Sequence, residues 1–170
     1  MRKRAAILVA SDRISKGLET DRSGVAAAGL LAGLLDVAEV RVVPDEADRI
    51  AACLLEWCTA GVDLVLTIGG TGLGPRDVTP EATRRVIERE APGIAAALLV
   101  KGLEETPRAM LSRAVAGLRG RTLSVNLPGS VSAVRQSVAL LLEVLPHALE
   151  TIAGVPESYP GREPHGPVAH

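Results

Sequence analysis

The sequence predicts a single α/β domain in which helices cover both faces of a mostly parallel sheet. Three observations carry this. Short apolar runs alternate with longer stretches of helical periodicity, from Ala5 to Ile152. One of the runs, Val62–Ile68, has the Val/Leu content of a strand buried on both sides. The apolar residues are almost all Ala, Val, Leu and Ile, since the chain holds one Trp, one Tyr and no Phe. Such a core suits close packing of helix on sheet.

Ala5–Ser11 is an apolar run ended by polar residues and reads as a buried strand. A charged loop is expected from Asp12 to Ser23, with Ser23 as N-cap of a helix over Gly24–Leu35. Val37–Val43 is a second strand, closed by Pro44. From Asp45 a helix runs to about Ala60, with Ile50, Leu54 and Trp57 on one face. The third strand, Val62–Ile68, feeds the Gly-rich segment Gly69–Thr79. Thr79-Pro80-Glu81 carries the marks of a helix start: Thr as cap, Pro in the first position, an acid in the first turn. An Ala/Leu-rich helix follows Pro92-Gly93 to about Glu104, and Thr106–Gly120 is expected to be irregular or partly helical. Thr122–Leu127 is a fourth strand. Ser130–Ile152 is a long amphipathic helix with Val131, Val134, Val138, Leu141, Leu142, Leu145 and Leu149 inward. Residues 1–153 thus form one domain. Residues 154–170 are rich in Pro and Gly, poor in apolar material, and expected to be a flexible tail.

Composition excludes several functions. Positive and negative side chains nearly cancel, for a formal charge of -1, so the basic footprint of a nucleic-acid binder is missing. Aromatic platforms for stacking single-stranded bases are missing as well. No run is long enough to span a membrane, and the basic start Met1-Arg-Lys-Arg4 lacks the apolar length of a signal peptide. Cys53 and Cys58 fall in one expected helix, about 140° apart, where they cannot easily pair. A reducing cytoplasm is the natural setting.

In an open α/β sheet, ligands gather beyond the C-terminal ends of the strands. There the sequence places Ser11-Asp12, Pro44-Asp45-Glu46, the Gly loop, and Asn126-Leu-Pro-Gly129. All four places carry small, polar or acidic residues. Glycines let successive backbone N–H groups turn toward an anion, and let a phosphate approach closely. The loop lacks the Lys-Ser/Thr ending of a P-loop, and Gly70-x-Gly72-x-Gly74 is not a dinucleotide fingerprint. Taken alone, it reads equally well as a tight connection. Asp45 reads alone as an N-cap, Asp77 as a carboxylate at a helix start, and Arg113 as a surface charge. His165 and His170 have no third ligand at metal spacing, and His147 lies on the final helix.

The segment Leu66-Thr-Ile-Gly-Gly-Thr-Gly-Leu-Gly-Pro-Arg-Asp-Val-Thr-Pro-Glu-Ala-Thr83 closely resembles the signature of the MoaB/Mog proteins, including the equivalent domains of gephyrin and its plant relatives. Val9-Ala-Ser-Asp-Arg13, Asp21-Arg-Ser-Gly24, Val43-Pro-Asp-Glu46, Met110-Leu-Ser-Arg113 and Asn126-Leu-Pro-Gly129 agree in order, so the resemblance spans roughly Ala5 to Ile152. It implies a Rossmann-like, three-layer domain assembling as a homotrimer. It also implies a molybdopterin adenylyltransferase, moving AMP from Mg-ATP to the terminal phosphate of molybdopterin and releasing pyrophosphate. A downstream molybdenum-insertion protein is then the expected partner, with no nucleic acid and no membrane involved. Carried over residue by residue, Asp45 and Asp77 match two acidic positions essential for transfer. Gly69, Gly70, Thr71 and Gly72 match the loop that holds pterin and phosphate, and Ser112 a ligand-contacting serine. Asn126, Pro128 and Gly129 match the neighbouring wall, while Ser11 and Asp12 fall near the nucleotide.

The carboxylates make chemical sense only with a cation. The attacking phosphate oxygen is already ionised at neutral pH, so no general base is required. Two polyanions must meet, and bare aspartates would repel both. Holding Mg²⁺, Asp45 and Asp77 would reverse that balance. The rival readings are a molybdopterin carrier without turnover and a trimeric scaffold domain. A Rossmann oxidoreductase is weaker, because the fingerprint and its ribose-binding acid are missing.

Overall fold

Successive residues of a strand point to opposite faces, and the first strand, β1 (Arg4–Ala10), is buried on both. Ala5, Ile7 and Val9 join one hydrophobic cluster, while Ala6, Leu8 and Ala10 join another. A strand apolar at every position after Arg4 therefore sits in the middle of a three-layer arrangement. The computed structural model describes residues 2–154, so the expected tail lies almost wholly outside the described residues.

In chain order the elements after β1 are α1 (Asp12–Ser15), α2 (Ser23–Leu31), β2 (Asp36–Val43), α3 (Ala47–Thr59), β3 (Leu64–Ile68), α4 (Thr79–Val86), β4 (Arg89–Glu90), α5 (Pro92–Leu103), a 3-10 turn (Pro107–Leu111), β5 (Ala116–Arg119), β6 (Thr122–Leu127) and α6 (Val131–Ile152). The sheet order is β2-β1-β3-β6-β5-β4. β2, β1, β3 and β6 are parallel neighbours, while β5 and β4 add an antiparallel edge. α2 and α6 cover one face, through Ala27, Leu31, Val134, Val138, Leu141, Leu145 and Leu149. On the other face, α3 and α4 contribute Ile50, Leu54, Trp57, Ala82 and Val86. The expected α/β class and the four parallel strands are as the periodicity predicted.

Local chemistry departs from expectation in four places. The stretch after Ser11 starts with a helical turn, and Ser11 caps it by accepting from the Ile14 N–H at 3.2 Å. Ser23 does not cap α2: its hydroxyl donates to the Gly129 carbonyl, and Asp21 accepts from the Gly24 N–H instead. The helix ends at Leu31. Thr79 lies inside α4, one residue beyond the cap position: its N–H donates to the Gly70 carbonyl at 3.1 Å, and its buried hydroxyl caps nothing. Within Thr106–Gly120, Ala116–Arg119 is a strand, turned back into β6 by a two-residue hairpin in which Gly120 has φ +53°. Val131 and Leu142 of α6 are half-buried, and the fully inward side chains begin at Val134.

Candidate active site

β1 runs to β2 on one side of it, and the chain then returns to β3 on the other. The strand order therefore reverses between β1 and β3, where an α/β sheet opens a crevice. Ser11 and Asp12 follow β1 at this point, and the Gly loop follows β3. Close approach decides the residue type there. A Cβ on Gly69 would stand 2.6 Å from the Ala10 carbonyl oxygen, and one on Gly70 would stand 2.4 Å from Thr79 Oγ1. Both glycines also have positive φ, +92° and +65°, a backbone that other residues rarely adopt. One consequence is chemical. Among the described residues, the N–H groups of Gly70, Thr71 and Gly72 donate to no protein acceptor. Three successive free donors make a concave anion-binding edge.

Three carboxylates stand beside it, and they are not equivalent. Asp12 and Asp45 cross-link the ends of β1 and β2: the Asp12 N–H donates to Asp45 Oδ2 at 2.9 Å, and the Asp45 N–H to Asp12 Oδ1 at 3.1 Å. The Arg76 guanidinium grips Asp12 through both carboxylate oxygens, at 2.9 and 3.0 Å, and holds its pKa below the usual carboxylate range. Asp45 has no such cation. Burial pushes its pKa up, and the nearby charges of Asp12 and Asp77 push the same way. Asp77 accepts from the Gly74 N–H at 2.8 Å, and Cβ atoms on Gly72 or Gly74 would collide with its Oδ2. Among the described residues Asp45 and Asp77 thus make no ion pair, Arg76 acting on Asp45 only through space, and Asp45 does not act as the cap of α3.

Such a pair suits a divalent cation. Among the described residues no three acidic, His or Cys side chains come together as a metal cage. Mg²⁺ asks for less, since it takes one or two carboxylates and completes its shell with water and substrate phosphates.

The loop is held from behind. Arg113 donates through Nε to the Gly72 carbonyl at 2.7 Å, through Nη2 to the Asp77 carbonyl, and through Nη1 to Glu81. Its own N–H donates to the Thr71 carbonyl at 2.8 Å. This brace is missing from the sequence reading, where Arg113 is a surface charge. Its neighbour Ser112 and the Gly loop were the available signals. Asn126 is fully buried, with Oδ1 accepting from the Val115 N–H and Nδ2 donating to Thr67 Oγ1 and Thr83 Oγ1. Both of its amide hydrogens are thereby spent inside the protein, fastening β6 to β3 and α4.

Two cavities flank the loop. The larger, about 1160 Å³, lies between α1, the start of α2 and the start of α6, and includes Ser11, Gly69 and Gly129 in its wall. The smaller, about 600 Å³, lies under α5 and the 3-10 turn, and its wall includes Thr71, Gly72, Ser112, Asn126 and Pro128. The residues expected to form the site therefore come together around one loop. Some line one of the two spaces, whereas Asp12, Asp45, Gly70 and Asp77 line neither.

Comparison with known proteins identifies the family. A family model described as a probable molybdopterin binding domain matches residues 6–147. The chain is 39% identical over 152 residues to the molybdopterin adenylyltransferase of Helicobacter pylori strain J99, covering 87% of this chain and 86% of that protein. It is 39% identical over 163 residues to gephyrin of Dictyostelium discoideum, where it spans 89% of this chain but only 23% of the relative's length. The crystal structure of the molybdopterin biosynthesis enzyme MoaB from Thermus thermophilus superposes with a TM-score of 0.85 at 49% identity, covering 91% of this chain and 98% of that one. The fold, the loop and the family match together place this chain in the MoaB/Mog family of molybdopterin-binding proteins.

Proposed function

We propose that the protein is a molybdopterin adenylyltransferase, transferring AMP from ATP to the terminal phosphate of molybdopterin and releasing pyrophosphate. The observation that carries this reading is the run of free N–H donors at Gly70, Thr71 and Gly72, set between two cavities and beside Asp45 and Asp77. One ligand-sized space on each side of an anion-binding edge suits a reaction that joins two phosphates. The larger cavity, which reaches Ser11, takes the nucleotide. The smaller, which reaches Ser112 and Pro128, takes the pterin. The loop donors hold the phosphate where the two meet, fixing donor and acceptor for in-line attack.

Asp45 and Asp77 would hold the Mg²⁺ that accompanies ATP. Bound there, the ion supplies charge neutralisation for two polyanions and the developing transition state. Asp12, already gripped by Arg76, sets the position of Asp45 through their reciprocal backbone bonds. We further propose that the chain works as a homotrimer and hands its product to a molybdenum-insertion protein. Free thiols at Cys53 and Cys58 suit a reducing cytoplasm. No helix among the described residues is long and apolar enough to cross a membrane.

The test is pyrophosphate release from Mg-ATP by the purified chain, with and without molybdopterin. Release that requires molybdopterin is the expected result. Tight molybdopterin binding without release would favour the carrier reading, and neither would favour the scaffold.

A further inference from the structure

The larger cavity holds cations that the site described above does not use. Most arginines of the described residues are spent inside the protein, on carboxylates or on backbone carbonyls. Among those residues the guanidinium groups of Arg22, Arg89, Arg108 and Arg135 make no ion pair and donate no hydrogen bond. Two of these four, Arg22 and Arg135, line the same cavity.

They reach it from different elements. Arg22 immediately precedes α2, and Arg135 lies in the second turn of α6. The hydroxyl of Ser23 donates to the Gly129 carbonyl at 2.7 Å, fastening the start of one element to the turn before the other. Neither acid on the same wall pairs with them. Glu19 pairs with Arg13, and Asp21, bonded to the Gly24 N–H, keeps a charge that the two guanidinium groups outnumber. The wall also includes Ser130 and Val131, where the 22-residue α6 begins and its first N–H groups have no helical acceptor. Two free guanidinium groups in one concave space repel each other until an anion joins them.

We propose that Arg22 and Arg135 bind the diphosphate end of the nucleotide, the β- and γ-phosphates that depart as pyrophosphate. This rests on the adenylyltransferase reading and adds a leaving-group site to it. In the transfer, a phosphate oxygen of molybdopterin forms a bond to the α-phosphorus. The bond from that phosphorus to the bridging oxygen breaks, and its electron pair leaves with pyrophosphate. Negative charge therefore accumulates on the departing group, where the two guanidinium groups stand ready to receive it. Molybdopterin offers the same oxyanion chemistry with a single phosphate, so the two sources are separable by experiment.

The experiment uses the full chain and inorganic pyrophosphate as the probe, titrated calorimetrically against wild type, R22Q, R135Q and the double variant. Pyrophosphate affinity should weaken by about 10-fold in each single variant and about 100-fold in the double, the scale of losing charged phosphate contacts. The KM for ATP should rise in parallel, with the KM for molybdopterin within about 2-fold of wild type if its phosphate binds elsewhere. Melting temperature should hold, because neither guanidinium has a partner among the described residues. Unchanged pyrophosphate affinity overturns the assignment, as does a loss that falls on molybdopterin instead. Loss of assembly mass in the variants would place the arginines between subunits and overturn it too. The two readings fail separately. A wild type that binds pyrophosphate through these arginines but never adenylylates molybdopterin sinks the activity and leaves the site standing. Turnover indifferent to both arginines does the reverse.

Discussion

At the scale of single residues, the carboxylates divide by their partners, and this division gives two predictions. Asp77→Asn keeps an oxygen for the Gly74 N–H and removes only the charge. Adenylyl transfer should fall by about 10²-fold or more, the scale for losing a preorganised electrostatic contact, while molybdopterin binding and melting temperature stay near wild type. Normal turnover at saturating Mg-ATP would sink the catalytic role. Asp45→Asn should do something different. The pKa of Asp45 is raised, first by burial and then by Asp12 and Asp77. A carboxylate whose folded pKa lies above its unfolded one contributes stability below the unfolded value and loses it as pH rises through the folded value. At neutral pH the charge of Asp45 is therefore a cost to folding. The Asn variant should melt higher than wild type at pH 7, with the gap closing toward about pH 4, while transfer is abolished. Melting curves at the two pH values decide it, and a variant less stable at pH 7 would contradict the assignment. None of this division was legible in the sequence. Asp12, Asp45 and Asp77 each follow a strand or the Gly loop, and the spacing locates them. Only the fold shows that Arg76 reaches back 64 residues to Asp12 and leaves the other two without an ion pair among the described residues.

At the scale of elements, legibility followed the range of the forces involved. Strands β3 and β6 announce themselves because every position is buried, β1 because every position after Arg4 is, and α3 because Ile50, Leu54 and Trp57 recur on one face. The Ser23 cap failed because its hydroxyl has a distant partner in Gly129, and the Thr79 cap because the helix starts one residue earlier, at a Val78 cap. β5 was missed because it is only four residues long and its pairing to β4 and β6 supplies what its own sequence lacks. Asn126 shows the same limit. The resemblance marks it as part of a ligand wall, and it does line the smaller cavity, but its amide is spent on Val115, Thr67 and Thr83. Replacing it tests which role dominates. Asn126→Leu should destabilise the fold by about 3 kcal/mol, because three buried polar groups lose their partner at about 1 kcal/mol or more each. Denaturant unfolding at constant slope is the measurement. A variant of normal stability whose only defect is a raised KM for molybdopterin would return Asn126 to the ligand wall.

At the scale of the whole molecule, two predictions concern what lies beyond one folded chain. The expectation, from composition, that residues 155–170 are dispensable for chemistry has a direct test: removing them should leave turnover and melting temperature nearly unchanged. The larger claim is the trimer. α5 carries Lys101 as its single polar side chain among Pro, Gly, Ile, Ala, Leu and Val, yet not one of its residues is buried in the isolated chain. Val100 is 62% exposed, and Met110 in the following 3-10 turn is 64% exposed. Apolar helices are normally covered, and a contiguous exposed apolar surface marks a contact with another molecule. Ile94 and Leu98 already pack on the core from one side of α5, so its outward side is what remains to be covered. A copy of the same chain is the occupant that the family resemblance names. Light scattering at micromolar concentration should therefore give about three times the chain mass of 17.6 kDa. Val100→Glu, which places a charge where the structure has an exposed aliphatic side chain, should shift that mass toward the monomer. A wild type that runs only as a monomer refutes the trimer. If instead Val100→Glu leaves a trimer intact, the subunits meet elsewhere and the surface of α5 faces something other than a second copy.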